Sequence, residues 1–508
     1  MNITLLSDMA ADGFGDRVVI GSRAGGITAA QLRSQAAAGA GLIAGAGAQA
    51  VVYLAVNGPA FPLAMFAAAR AGVPLVPVNY RLGREQLDAL LANHPSALGI
   101  ADSQHAHILE RAGLQVLTTE QWLDEVGRAA PTSGPDDGDV PIDGDPPAVI
   151  IYTSGTTAAP KGVLLRHENL SSYVLGSVEF ANADESEAAL VSVPPYHIAA
   201  VANVLSNLYA GRRTLVLEQF TPEQWLQTVR DERVTNALVV PTMLSRIVEA
   251  TGDTSVPSLR NLAYGGAPMP SRIIEQALAL WPEVGFVNAY GLTETSSTIT
   301  VLGPDDHRAA LSDADERVRA RLGSVGRALP GVEIEIRADD GTPLPAGRVG
   351  RICVAGEQVS AEYAGVGRVV DERGFFDTRD KGFLDDDGFL FVGGRADDTI
   401  IRGAENIAPA EIEDVMLRHP DVLDVAVVGV PDEEWGQRIE AVVVVRPGAV
   451  RDADVLRDYV RTALRSSKTP DRIAYWDEVP RTETGKLVRR HVVERLVSTA
   501  EPITASGR

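Results

Sequence analysis

Short, mostly apolar and β-branched runs of four to six residues recur along the first half of the chain, at 51–56, 73–78, 148–152, 190–193, 214–217 and 237–240, with helical stretches between them. A strand that is apolar at every position is buried on both faces, as in parallel sheets covered by helices. The pattern predicts an α/β fold whose large N-terminal domain has several subdomains and layered, largely parallel sheets. Residues 38–56 carry no charge over 19 positions, but Ala and Gly dominate them, so they read as helix, turn and strand rather than a membrane span. Between Pro131 and Pro147 five Asp sit among Gly and Pro, which predicts an exposed loop between subdomains. From about 325 to 392 short strands and Gly-rich turns predict a small β-rich subdomain. Beyond Arg395 a helix near 410–419, strands near 422–430 and 441–445 and a helix near 455–464 predict a separate α+β domain. The expected division is 1–396 and 397–508, with no internal repeat or heptad array.

Composition narrows the function classes. The 508 residues carry 46 Lys and Arg against 68 Asp and Glu, a net charge of −22 that disfavours a nucleic-acid footprint or a polybasic membrane anchor. The one cysteine, Cys353, makes neither an internal disulfide nor a Cys-based zinc site, which fits a reducing compartment. The N-terminus lacks a basic stretch ahead of an apolar one, so a cytoplasmic protein is expected rather than a secreted one.

The most informative segment is YTSGTTAAPKG at 152–162, directly after an apolar run. Its hydroxyls, its flexible glycine and its terminal Lys161 suit a loop that wraps polyphosphate with backbone N–H groups and side-chain hydroxyls. Pro160 before the lysine and Gly162 after it distinguish the segment from a P-loop NTPase motif. Lysine is rare here: Lys161, Lys381, Lys468 and Lys486 stand beside 42 arginines. Two of the four close loop motifs, where a compact charge on a flexible stem can follow a moving anion.

Four further segments, YGLTET at 290–295, TRD at 378–380, GRADD at 394–398 with IRGAEN at 401–406, and PRTETGK at 480–486, complete a pattern spanning the whole chain. In this order and spacing the chain resembles the adenylate-forming superfamily of acyl- and aryl-CoA synthetases, luciferases and peptide-synthetase adenylation domains. The resemblance implies that Thr153, Ser154, Gly155, Thr156, Thr157 and Lys161 hold ATP phosphates, with Thr293 touching phosphate and Glu294 holding Mg²⁺. Gly265, Gly266, Ala267 and Tyr290 would enclose adenine; Asp380 would accept hydrogen bonds from both ribose hydroxyls, with Arg395 beside ribose and phosphate. Lys486 resembles the catalytic lysine that bridges the substrate carboxylate and the α-phosphate. A hinge aligned with Asp397 would rotate the C-terminal domain between adenylation and thioester formation.

Coenzyme A is the acceptor the resemblance favours, with Arg81, Gly403, Ala404 and Trp435 as its contacts and no insertion after Gly326 of the fatty acyl-AMP ligase kind. A luciferase-like or acyl-AMP ligase activity is the alternative within the superfamily; a non-catalytic adenylate-binding scaffold is the alternative outside it, opposed by the presence of Lys486, Glu294 and Asp380. His197, in PPYHIAA at 194–200, aligns beside the reacting carboxyl group, and residues 240–243 and 296–299 are expected to complete a mostly apolar acyl pocket. No aspartate is available there to hold an α-ammonium, which disfavours amino acids, and apolar residues mixed with Ser and Thr predict a hydrophobic carboxylic acid, aliphatic or aromatic, with room for one polar substituent. The resemblance leaves room for a homodimer. Arg379 and Ala404 depart from glycines usual in the superfamily, and tolerance is expected at both.

Overall fold

The apolar runs form the inner strands of two large sheets in the computed structural model, which describes residues 1–129, 143–153, 161–402, 405–432, 435–464, 466–482 and 485–499. The acidic stretch expected as an exposed loop lies mostly outside these residues. One sheet has eight strands, and its parallel centre runs Pro147–Thr153, Leu75–Pro77, Ala50–Leu54, Ala97–Ala101 and Gln115–Thr118. The other has nine, with a parallel centre of Gly285–Leu292, Asn261–Gly265, Asn236–Val239, Ala188–Val191, Arg213–Val216 and Val18–Ile20. Helices Ala60–Arg70 and Ile198–Ala210 fill the layer between the sheets; the first is buried at every position from Ala60 to Ala69, because apolar surface faces it on all sides. Helix Arg84–Leu91 covers the outer face of the first sheet, and helices Pro222–Asp231, Pro241–Val248 and Ser271–Leu280 cover that of the second. The uncharged segment resolves into helix Ala29–Gly45, a turn and strand Ala50–Leu54, as its composition predicts.

The β-rich stretch divides its strands among three sheets. Four of them, Glu333–Arg337, Gly350–Ala355, Phe376–Leu384 and Leu390–Arg395, form an antiparallel sheet of their own. Arg327–Ala328 instead extends the nine-stranded sheet, and the hairpin Glu362–Tyr363 and Gly367–Arg368 extends the eight-stranded one by pairing Tyr363 with Val163. Beyond residue 395 a smaller α+β domain is built on strands Val422–Asp432, Gly436–Val445 and Arg472–Tyr475, with helices Pro409–Leu417, Ala453–Ala463 and Arg489–Thr499 around them. Among the described residues no helix is long and apolar enough to cross a membrane.

Buried histidines give this fold a defined acid response. His167 opens helix His167–Ser177, accepts a hydrogen bond from Ile3 N–H at 3.4 Å, and is pushed down to about 4 by burial and by the nearby N-terminal charge. His197 is pushed down to about 4 by burial. Unfolded histidine titrates near 6.5, so between about pH 6.5 and 4 the unfolded chain binds protons that the folded chain refuses. Stability should fall as pH drops through that window, by on the order of 3 kcal/mol per group once complete. Urea midpoints measured from pH 7.5 down to 4.5 check this, and a flat profile would contradict it.

Candidate active site

Strand Gly285–Leu292 brings Tyr290 to the edge of the four-stranded sheet, where its hydroxyl donates to Asp380 Oδ2 at 2.6 Å. Asp380 projects from a bulge: Asp377 pairs with Cys353 and Lys381 with Arg351, so Thr378, Arg379 and Asp380 oppose the single Ile352. The Thr378 hydroxyl fixes this bulge by donating to Ile352 O at 2.9 Å and accepting from Asp380 N–H at 3.1 Å. Arg395, opposite Asp380 on the neighbouring strand, reaches its Oδ1 at 3.4 Å and Thr378 O at 3.3 Å. Asp380 is buried, and desolvation raises its carboxyl above the usual range while Tyr290, Arg395 and Lys486 pull it back. Buried at this bulge, the carboxylate is built to accept paired donors.

Past Tyr290 the chain turns through Thr293–Thr295, held by Leu292 N–H on Thr295 Oγ1 at 3.0 Å and by Gln358, whose amide donates to Thr295 O at 3.0 Å and Thr298 O at 2.8 Å. The turn delivers Glu294, whose Oε1 accepts from the Tyr363 hydroxyl at 2.8 Å and whose carbonyl accepts from Ala361 N–H at 2.9 Å. Lys161 Nζ lies 5.9 Å from the centre of the same Tyr363 ring. Thr153 and Lys161 pair directly across a hairpin, so the two ends of the phosphate-loop motif are fixed on adjacent strands. Of the residues expected in that loop, Ser154, Gly155, Thr156 and Thr157 lie outside the described residues. On the opposite wall a Cβ on Gly265 would meet Ala289 O at 2.2 Å, and Gly266 has φ +83°, so the close, left-handed approach of 265–267 requires both glycines.

Lys486 comes to this cluster from the C-terminal domain. Arg481 and Leu487 bridge as antiparallel partners, Thr482 N–H donates to Lys486 O at 2.7 Å and Lys486 N–H to Thr482 Oγ1 at 3.1 Å. Gly485, directly before the lysine, docks on helix Pro241–Val248 so closely that a Cβ there would lie 2.4 Å from Thr242 Cγ2. Two further contacts seat the domain: Ser271 N–H on Asp414 at 3.1 Å and Arg446 with Glu249 at 3.4 Å. Lys486 is ringed by protein mass on most sides while part of its surface stays open to solvent. Desolvation and the Arg395 charge lower its ammonium, and Asp380, Asp398 and Glu294 hold it up.

His197 caps helix Ile198–Ala210 and packs on Tyr196 at 4.8 Å between ring centres; Tyr196 in turn meets Tyr80 edge-on at 5.7 Å. Desolvation keeps the imidazole neutral at physiological pH. Arg81 is exposed, its guanidinium 5.4 Å from the Tyr80 ring. Trp435 is 45% exposed at the Val422–Asp432 and Gly436–Val445 hairpin, with Arg402 over its ring at 5.2 Å and that arginine anchored by two 2.8 Å bonds to Asp471. Gly403 and Ala404 lie outside the described residues. Asp397 is exposed in the turn Ala396–Asp398 that joins the two domains.

The structure thus brings together Tyr290, Thr293, Glu294, Asp380, Arg395, Lys161 and Lys486, and leaves Arg81 and Trp435 on separate elements. Tyr363 and Gln358, which hold Glu294 and its turn in place, belong to no motif, whereas Thr242, against which Gly485 docks, lies in the stretch 240–243 expected only as acyl-pocket wall. The one sequence signal of the first two is that Tyr363 is an aromatic in a short extended stretch.

Comparison with known proteins gives this geometry its context. The AMP-binding enzyme family matches residues 8–364, and the AMP-binding enzyme C-terminal domain matches residues 411–486. A fatty acid–[acyl-carrier-protein] ligase of Streptomyces coeruleorubidus is 32% identical over 459 residues, covering 88% of this chain and 86% of the relative. A feruloyl-CoA synthase of an Amycolatopsis species is 34% identical over 457 residues, covering 88% of each. The structure of o-succinylbenzoate CoA synthetase from Bacillus subtilis with its acyl-adenylate superposes at a TM-score of 0.82 with 26% identity, covering 96% of this chain and 97% of the other. Both halves of the chain are matched in order, and it therefore belongs to the family of AMP-binding, adenylate-forming enzymes.

Proposed function

We propose that the protein is an ATP-dependent acyl-CoA synthetase that activates a hydrophobic carboxylic acid. The observation that carries this reading is that Lys486, on the C-terminal segment docked against helix Pro241–Val248, lies within electrostatic reach of Asp380 and Arg395 on neighbouring strands and of Glu294 in the Thr293–Thr295 turn. A carboxylate resists attack by a thiol because its negative charge repels the nucleophile and it has no good leaving group. In the first step a substrate carboxylate oxygen attacks the α-phosphorus of ATP, the bond to the β-phosphate oxygen breaks, and pyrophosphate leaves. In the second the CoA sulfur attacks the acyl carbon, AMP departs, and the thiol proton is lost to solvent.

Lys486 offsets the charge that accumulates between carboxylate and α-phosphate, Asp380 accepts from the ribose hydroxyls, and Gly265, Gly266, Ala267 and Tyr290 bound the adenine. Thr153 to Thr157, Lys161 and Thr293 engage the phosphates. Among the described residues no group of three or more His, Cys, Asp or Glu forms an all-protein metal cage, whereas the lone Glu294 carboxylate suits a magnesium ion that takes its remaining ligands from phosphate and water. Such an ion would supply charge neutralisation at the phosphates. The domain boundary falls at 397, and rotation about Asp397 then replaces Lys486 with the face carrying Arg402, Gly403, Ala404 and Trp435 for the thiol step, with Arg81 near the CoA nucleotide.

Pyrophosphate release across a panel of aliphatic and aromatic acids, with and without CoA, tests the reading. Thioester formation supports it; adenylate that passes only to a carrier protein would move the acceptor to the class named for the Streptomyces relative. His197 is assigned to the acyl pocket, so His197→Ala should raise KM for the acid by about 10-fold and reorder acid preference while leaving KM for ATP and the melting temperature nearly unchanged. A variant that unfolds, or whose preference is unaltered, would make His197 a structural residue.

A further inference from the structure

Arg379 occupies a left-handed backbone conformation, φ +61°, at the centre of the bulge that presents Asp380. A side chain there is strained in a way that glycine avoids. The conformation is held by Arg379 N–H donating to Asp377 Oδ1 at 2.9 Å, with Asp377 itself anchored by Arg351 at 2.7 Å. A strained position is thus stabilised around a long cation. Among the described residues its guanidinium makes no hydrogen bond or ion pair and is exposed, although the chain has a net charge of −22 and pairs arginine with carboxylate throughout its surface.

We propose that Arg379 binds the β- and γ-phosphates of the nucleotide, and the pyrophosphate formed from them, as a chain-specific addition to the phosphate site. The inference rests on the adenylating reading above and adds a residue to it. Position decides the ligand. Arg379 directly precedes Asp380, and its positive charge, with that of Arg395, draws down the Tyr363 phenol against the larger upward pull of burial and Glu294. Its charge thus reaches the Tyr363 hydroxyl, which donates to Glu294 and whose ring Lys161 approaches at 5.9 Å. Three carboxylates, Glu294, Asp380 and Asp398, share this region with Lys161, Arg395 and Lys486. Those charges cancel, so a triphosphate gains directly from a fourth cation, whereas AMP, lacking the outer phosphates, does not.

Nucleotide binding to the full chain without acid, measured by calorimetry, separates the possibilities. Arg379→Gly removes the cation and relieves the backbone, so the protein should fold with an undiminished melting temperature. It should weaken ATP about 10-fold and weaken pyrophosphate inhibition equally, with AMP affinity within about twofold of wild type. Arg379→Lys should recover most of the ATP affinity. Unchanged ATP and pyrophosphate binding in Arg379→Gly overturns the proposal while leaving the adenylating reading intact. Equal loss of ATP and AMP overturns it too, since the effect then passes through Asp380. A wild-type protein that binds neither nucleotide removes both readings together.

Discussion

Lys486→Ala is expected to slow acyl-adenylate formation by about three orders of magnitude while thioester formation from a supplied acyl-adenylate stays close to wild type. The ammonium is held among Asp380, Asp398, Glu294 and Arg395, where partial desolvation strengthens its field and where charge builds when a carboxylate meets an α-phosphate. The loop should survive the substitution. Its closure runs through backbone atoms and the Thr482 hydroxyl, and its docking through Gly485 against Thr242, none of which involves the lysine side chain. Melting temperature and AMP affinity should therefore hold. Single-turnover measurements of each half-reaction read the split directly, and comparable losses in both would show that Lys486 acts on something common to the two steps.

Much of this was legible in the sequence for a definite physical reason. Strands such as Ala50–Leu54 and Ala188–Val191 are buried on both faces, so every residue is apolar and no pairing information is needed to recognise them. Lys161 and Lys486 stood out as rare lysines that close loop motifs, and Glu294 and Asp380 through the resemblance of the segments that hold them. What failed to show was pairing over distance. Tyr363 meets Val163 across the sheet and Glu294 through its hydroxyl, and no local periodicity encodes either contact. For the same reason the stretch from 325 to 392 reads as one subdomain although its strands serve three sheets. Strand Gly436–Val445 begins before the expected 441 because Arg438 and Glu440, bonded at 2.7 Å, interrupt the apolar run while satisfying each other. Helix Arg489–Thr499 was missed because its buried stripe is thin, carried by Val492 and Leu496 amid charged neighbours.

Asp397→Pro should leave adenylation within about threefold of wild type and slow thioester formation by about two orders of magnitude. The turn Ala396–Asp398 is of the 3₁₀ type, for which φ near −65° is ordinary, so the proline ring fits the arrangement seen here. The bond closing the turn runs from Thr399 N–H to Ala396 O at 3.3 Å, so no observed hydrogen bond is lost with the Asp397 N–H. Both flanks are anchored. Arg395 is tied to Asp380 on one side; on the other, Asp398 meets Arg489 at 3.4 Å, and that arginine also grips Glu413 of the C-terminal domain. Rigid attachments on each side of a single exposed residue concentrate any domain rotation into its torsions, and fixing φ there removes one of the two that could carry it. Asp397→Gly supplies the contrast, since it frees the same torsion and should preserve the thiol step. If proline slowed both half-reactions alike, or neither, the joint between the domains would have to lie at another residue of the segment.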